Sequence, residues 1–286
     1  MSQWRHILTR LFSGTFSLLL TMSIPGLLVP VQTAFAQESA EQVSGGGKIA
    51  DEVAADPARK LPELGLMGTV PIYWGNAASV EDALRVDAEP HWARAIIERS
   101  FHLKPISFLD AERLKDVSYL LLAQPRILSP QENVALDDWV RGGGRLLLFA
   151  DPMMTGHSPF GLGDPRRPQG VILLSPIFDR WGLELLFTSD QQDHVHLAQG
   201  WIAPIPIFLA GEIAGRPEKS TAPGACKFAA KGVLALCEIG AGHVTILADS
   251  VILDDEVPEK NRIFALEALL GQLRGESGDI AGEPDS

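Results

Sequence analysis

The chain has 286 residues, a formal net charge of −12, and 46% hydrophobic against 21% charged residues. That balance supports a buried core and excludes wholesale disorder, a collagen-like fibre and a disulfide-dense miniprotein. The acidic surplus lacks the basic footprint by which nucleic acid or an anionic membrane is held, so no nucleic-acid partner is expected.

Arg5, His6 and Arg10 precede a largely apolar stretch, residues 11–31, and Ala34-Phe35-Ala36 then places small residues where a signal peptidase reads them. Residues 1–36 therefore read as a secretory signal cut before Gln37, which predicts a soluble periplasmic protein. The alternative is an N-terminal membrane anchor, since the stretch is about long enough to span a bilayer; Pro25, Pro30 and several polar positions interrupt it. Residues 37–65, rich in Ala, Glu, Gly and Pro, read as a flexible linker, and 274–286 as a disordered tail. Between them, 66–273 reads as a single α/β domain.

Residues 66–74 (LMGTVPIYW) read as a strand stopped by Gly75-Asn76. Residues 80–101 read as a helix, with Trp92, Ala95, Ile96 and Arg99 at helical spacing. Short strands are expected at 105–109 and 119–123 (YLLLA). Ser129-Pro130-Gln131-Glu132 is a capping-box spacing with Pro at the first helical position. That helix runs through Leu136, Trp139 and Val140 to Gly142-Gly143-Gly144, followed by a fourth apolar strand at 145–150 (RLLLFA). Uninterrupted apolar strands separated by helices predict a mostly parallel, doubly wound sheet in a three-layer α/β sandwich. Beyond Asp151 the rhythm changes: a Gly/Pro-rich loop at 152–170, a short helix at 176–181 and a strand at 184–187. Antiparallel strands over 205–213 and 226–248 add a hairpin extension, and 261–273 reads as a closing amphipathic helix.

Lys231-Gly232, taken as a two-residue hairpin turn, pairs Ala230 with Val233 and, counting outward, Cys226 with Cys237. Directly opposed antiparallel residues lie about 4.5–5.5 Å apart at Cα, within disulfide reach. An export compartment favours the bridge, which is a structural role.

The run YLLLAQPRILSPQENVALDDWVRGGGRLLLFADP, 119–152, resembles a strand-helix-strand segment of the ABC-transporter auxiliary domains of the gliding-motility type. Those domains belong to the class I glutamine-amidotransferase-like fold. Residues 240–250 (GAGHVTILADS) look like the family's glycine turn, strand and terminal Asp-Ser, and 261–273 fits its last helix. The SPQEN…ALDDWVRGG helix is also similar to trehalose-utilisation-type proteins. The resemblance spans roughly 66–273. It implies an exported, non-catalytic module working beside ABC permease and ATPase subunits or other envelope proteins, in sugar or envelope traffic.

Enzymes of that fold place a Cys nucleophile at a strand-to-helix elbow, and neither Cys226 nor Cys237 stands at one, which argues against glutamine hydrolysis. Gly156-His157-Ser158 resembles the start of a serine elbow, but Phe160 replaces the second glycine and Ser158 is far from the end of its strand. Gly240-Ala241-Gly242 precedes a strand and cannot serve a dinucleotide, and Gly45-Gly46-Gly47-Lys48 lacks the P-loop spacing. No cofactor is expected, with Zn the alternative. In an extended segment His194 and His196 of Asp193-His194-Val195-His196 share a face, and His157, Asp190 or Asp151 are candidates to complete a metal site. Asp151 and Asp249 both end apolar strands. Each either caps the next segment of chain or joins Asn76, Gln124 and Arg126 around a cleft at the carboxyl ends of the sheet, suited to a sugar-like ligand or a partner's loop.

Overall fold

The computed structural model describes residues 60–75, 90–254, 257 and 259–276. The expected signal, most of the linker, Asn76, the first half of the helix at 80–101 and the tail beyond 276 lie outside the described residues.

Among the described residues the chain runs β1 (Glu63–Gly68), α1 (Trp92–Ile97), β2 (His102–Pro105), α2 (Ala111–Leu114), β3 (Tyr119–Ala123), α3 (Pro130–Arg141) and β4 (Arg145–Phe149). It continues with α4 (Ser175–Trp181), β5 (Leu183–Leu186), β6 (His196–Gln199), β7 (Pro204–Ile207), β8 (Glu212–Gly215), β9 (Ala225–Ala229), β10 (Leu234–Ile239), β11 (Gly242–Leu247) and α5 (Glu259–Arg274). The described strands form one seven-stranded sheet, order β2-β1-β3-β4-β11-β10-β9, and two two-stranded ribbons, β5-β8 and β6-β7. The first five strands of that order are mutually parallel; β10 and β9 are the antiparallel extension.

The continuous apolar strands are explained by burial on both faces. Leu121, Leu147, Phe149 and Leu247 pack under α1 and α5, while Leu120, Leu122, Leu146, Leu148 and Ile246 alternate to the face covered by α2, α3 and α4. The sandwich is three-layered, as the pattern predicts.

Helix α3 starts where its cap dictates. Ser129 Oγ accepts from Glu132 N at 3.2 Å and Glu132 Oε2 accepts from Ser129 N at 2.9 Å. Asp137 on the same helix is fully buried and receives Arg141 Nε, Arg180 Nε and Trp181 Nε1, each at 2.9 Å, so it ties α4 to α3.

Several boundaries differ from expectation, each for a local reason. Strand β1 begins at Glu63, inside the compositional linker, because Leu64 is paired with Tyr119 and buried. It ends at Gly68, where Thr69 N turns to Ala123 O (3.1 Å) and residues 71–75 close a turn through Gly75 N to Pro71 O (2.8 Å). Strand β2 lies at 102–105 instead of 105–109, with its ladder ending at Leu66 paired with Pro105, which has no N–H to donate. The stretch 205–213 divides into β7 and β8 around Leu209, whose φ is 53°. In the β9–β10 hairpin the register holds, with Cys237 opposite Cys226, but the loop is four residues long. Ala230, Lys231 and Gly232 all take positive φ (51°, 56°, 84°), so pairing starts at Ala229–Leu234. Cys226 and Cys237 form a disulfide with Cα atoms 4.1 Å apart. None of the described helices is long and apolar enough to cross a membrane.

Candidate functional site at the carboxyl ends of the sheet

Strand β1 has β2 on one side and β3 on the other, so the winding reverses between β1 and β3. In open α/β sheets that reversal opens a crevice beyond the strand ends. Thr69, Gln124, Asp151, Asp249 and Ser250 all come within three residues after the parallel strands β1, β3, β4 and β11.

Gln124 occupies the turn directly after β3, six residues before Pro130 opens α3. Its φ is 50°, a left-handed conformation costing an L-residue about 1–2 kcal/mol. The residue is fully buried, and its carboxamide is consumed internally. Oε1 accepts from Asp151 N (2.8 Å), and Nε2 donates to Asp151 O (2.9 Å) and Gln169 O (2.8 Å). Thr69 Oγ1 donates to Gln124 O (2.6 Å) and accepts from Gln169 N (2.8 Å). Close approach is possible because residue 68 is glycine: a Cβ there would collide with the Ala123 carbonyl. The result is a satisfied polar plug that seats the end of the 152–170 loop on β1 and β3.

The two strand-end aspartates lie beside this plug. Asp151 Oδ2 accepts from Ser250 Oγ (2.7 Å) and Ser250 N (3.1 Å), and Oδ1 from Met153 N (2.8 Å). Asp249 Oδ2 accepts from Phe208 N (2.7 Å) and Oδ1 from Val251 N (2.7 Å). Burial raises both carboxyl pKa values, Asp249 well above the ordinary range. The neighbouring charge of Asp151 pushes Asp249 further in the same direction, while the hydrogen-bond donors on each carboxylate pull back.

Of the expected cleft, then, the structure brings together Gln124, Asp151 and Asp249, and buries all three. Arg126 is drawn elsewhere: its guanidinium lies on Glu132 (2.9 and 2.8 Å) and on Ser107 O (2.9 Å). The physical reason is the buried Glu132 carboxylate, which also accepts from Leu109 N (3.2 Å) and needs a cation. Burial works against the charged form of Glu132, but Arg126 and the backbone donors outweigh it and hold the carboxyl at about 2. Asn76 falls outside the described residues.

A small open cleft of about 60 Å³ lies alongside, lined by Met154, Gly156, His157, Ser158 and Pro168 of the 152–170 loop, by Ser250, Val251, Leu253 and Asp254, and by Val70, Pro71 and His91. Ser158 Oγ accepts from Phe160 N (3.2 Å), a local loop turn and not an elbow. Thr69, Gln169 and Ser250 were missed by sequence reasoning. The available signal, a polar residue directly after an apolar strand, singled out Gln124 and Asp151 but not Thr69, which the reading of 66–74 as one strand placed inside it. Gln169 carries no such mark.

Asp193, His194 and His196 lie at the start of the β6–β7 ribbon, where His196 pairs with Ile207, the residue before the Phe208 that donates to Asp249. His194 Nδ1 is 3.3 Å from Asp193 Oδ1, and the two imidazole centroids are 6.1 Å apart. Among the described residues no three His, Cys, Asp or Glu side chains, these three included, form a group able to hold a metal ion. Asp151 is held at the end of β4, and His157 lines the cleft.

No family model matches the chain, and neither does any curated protein. Solved structures that resemble it include an exo-β-1,4-mannosidase from an Opitutaceae bacterium (15% identity, TM-score 0.44, 75% of this chain and 36% of that one). A β-galactosidase from Bacillus circulans matches at 15% identity and TM-score 0.42, over 75% of this chain and 31% of the enzyme. A ThuA-like protein from Bacteroides uniformis matches at 11% identity and TM-score 0.36, over 78% of this chain and 94% of that one. The chain thus spans about a third of the length of the glycosidases it resembles.

Proposed function

We propose that this protein is an exported, non-enzymatic accessory or binding module of an envelope ABC transport system. In this reading the periplasmic domain offers its carboxyl-end cleft to a sugar-like ligand or to a loop of a permease or other envelope subunit. The observation that carries it is Gln124. The strand-to-helix turn after β3 holds a carboxamide whose donors and acceptor are all engaged by Asp151 and Gln169, and a carboxamide is no nucleophile. The disulfide fits an oxidising compartment. The alternative is an exported metal-assisted hydrolase using Asp193, His194, His196 and Asp151 with Zn, or a carbohydrate-modifying enzyme of the trehalose-utilisation type; the neighbouring imidazoles of His194 and His196 favour the first of these.

Purification of the full-length gene product from native envelopes separates the two. Stoichiometric permease or ATPase subunits, identified by mass spectrometry, support the module. Stoichiometric zinc that is lost in the double variant His194→Ala, His196→Ala, together with glycoside hydrolysis by the wild type, overturns it.

A further inference from the structure

A groove of about 540 Å³ opens at the opposite end of the sheet, where β4 and β11 begin and α5 ends. Small-molecule sites usually measure about 300–1,000 Å³. The floor of the groove follows from strand alternation. Leu147 and Leu247 face α5, so Arg145 and Thr245, each two residues earlier, face the same side. The register carries that face outward across the sheet: His243 lies between Arg145 and Glu238, and Leu236 lies between Thr245 and Lys227. The groove exists because its two neighbours stop short of it. Gly200, in the loop of the β6–β7 ribbon, lies against Leu234, and α5 ends at Arg274. Leu236 is left partly buried, and Lys227 and Glu238 are exposed.

The polar groups here are held in place but not used up. Arg145 caps α5, with Nε donating to Leu273 O (2.5 Å) and Nη2 to Gln272 O (3.1 Å). Gly275, at φ 81°, lies against the guanidinium and fixes it further. Nη1 of Arg145 and Nζ of Lys227 have no partner among the described residues. Two cations therefore line the groove, with Glu238 the one acid among its lining residues, in a chain of formal net charge −12. Thr245 also lines it; this residue is only 5% exposed, and its hydroxyl bonds to nothing among the described residues. Buried hydroxyls are as a rule hydrogen-bonded, so this one is left for a partner from outside the chain. Cys226, the residue before Lys227, faces the other side of the sheet and is bridged to Cys237, which ties the edge strand carrying Lys227 covalently to β10.

We propose that this groove is a binding site for a small hydroxylated carboxylate of the sugar-acid class, its carboxylate on Lys227 and Arg145 Nη1 and its hydroxyls on Thr245, Glu238 and Gln272. Charge selects this class. Carboxylate paired with ammonium and guanidinium makes the stronger, charge-assisted kind of hydrogen bond. A phosphate ester would bring a second negative charge against Glu238. A neutral sugar leaves both cations without a counter-charge, and no Phe, Tyr or Trp lines the groove to stack on its ring. Binding here does not rest on the transport-module reading or on the carboxyl-end cleft.

The test is an NMR titration of the purified protein, following backbone amide shifts as D-galacturonate, D-glucuronate or D-gluconate is added. D-galactose and glucose 6-phosphate serve as the neutral and phosphorylated probes. At least one sugar acid should give saturable shifts at Lys227, Leu236 and Thr245. Its affinity should fall about tenfold in Lys227→Ala, through loss of a charged hydrogen bond, and about fivefold in Thr245→Val, through loss of a neutral one. Lys227 is exposed and Val keeps the shape of Thr, so both variants retain the fold. Galactose and glucose 6-phosphate should each bind about tenfold more weakly than the sugar acid. The proposal is overturned by the absence of a saturable response to all three sugar acids, or by shifts confined to residues 154–158 and 250–254. Unchanged affinity in Lys227→Ala or Thr245→Val overturns it too, as does galactose or glucose 6-phosphate binding as tightly as the sugar acid.

Discussion

Gln124 illustrates how one residue can be costly in its backbone and stabilising through its side chain. Its left-handed conformation is held by three side-chain hydrogen bonds. Gln124→Ala leaves Asp151 N and Gln169 O unpaired and takes from Asp151 O one of its two donors, Ile172 N remaining, in a buried site that retains the backbone strain, so a loss of about 3 kcal/mol in urea unfolding is expected. Gln124→Gly loses the same bonds but not the conformational penalty, and should be less destabilised than the Ala variant by about 1 kcal/mol. Equal losses for the two variants would mean that the strain carries no weight. Glu132 supplies the acid-side counterpart. Its carboxyl is held at about 2 by Arg126, Ser129 and Leu109 despite its burial, so it contributes stability above its unfolded value that is lost as the pH falls toward 2. Glu132→Gln should cost about 2 kcal/mol at pH 7, at the low end for a buried ion pair because Arg126 is partly in water. The same substitution should cost almost nothing at pH 2, as measured by denaturant titration. Both residues belong to strings that sequence inspection singles out, a polar residue ending an apolar strand and a capping box. That Arg126 would serve Glu132 and not the cleft was not legible, because the demand for a cation comes from burial of Glu132 beneath Leu109, which is a tertiary fact.

At the scale of elements, α3, β3 and β4 lie where the pattern places them, since capping and continuous hydrophobicity are local causes. Asp137 is the element-level surprise: an acid on the inner face of α3 that α4 answers with Arg180 and Trp181 Nε1. Asp137→Ala strands the Trp181 donor and two guanidinium groups. It should lower stability by about 3 kcal/mol and loosen α4, visible as faster amide exchange over 175–181. The β9–β10 hairpin shows the opposite case, a correct register reached through the wrong turn. The pairing of Cys226 with Cys237 survives because lengthening the loop from two to four residues removes one pair symmetrically and leaves every outer pair opposed. Reduction of that bridge should cost about 2–3 kcal/mol, as a short closed loop warrants. It should also fray β9, which has only β10 beside it among the described strands. Thermal unfolding with and without a phosphine reductant measures the cost.

For the whole molecule, the titrating groups act in opposite senses. Glu132 withdraws its support as the medium becomes acid; the raised carboxyls of Asp151 and Asp249 contribute fully below their unfolded values and withdraw as the pH climbs through their folded ones. Melting temperature should therefore fall on both sides of a maximum, on the acid side through Glu132 and on the alkaline side through Asp151 and Asp249, and the Asp249→Asn variant should move that maximum upward. The sequence alone determined the layered α/β class, the four leading parallel strands, the start of α3 and the cysteine pairing, because each rests on spacing within a short window. Only the tertiary structure decided that β11 inserts beside β4, that Gln124, Asp151 and Asp249, expected to line an open cleft, are buried into a plug, and that the exposed cleft is lined largely by the 152–170 and 250–254 segments. Those outcomes depend on which strand ends meet and which polar groups lose water together, and neither is encoded at a distance the local pattern can reach.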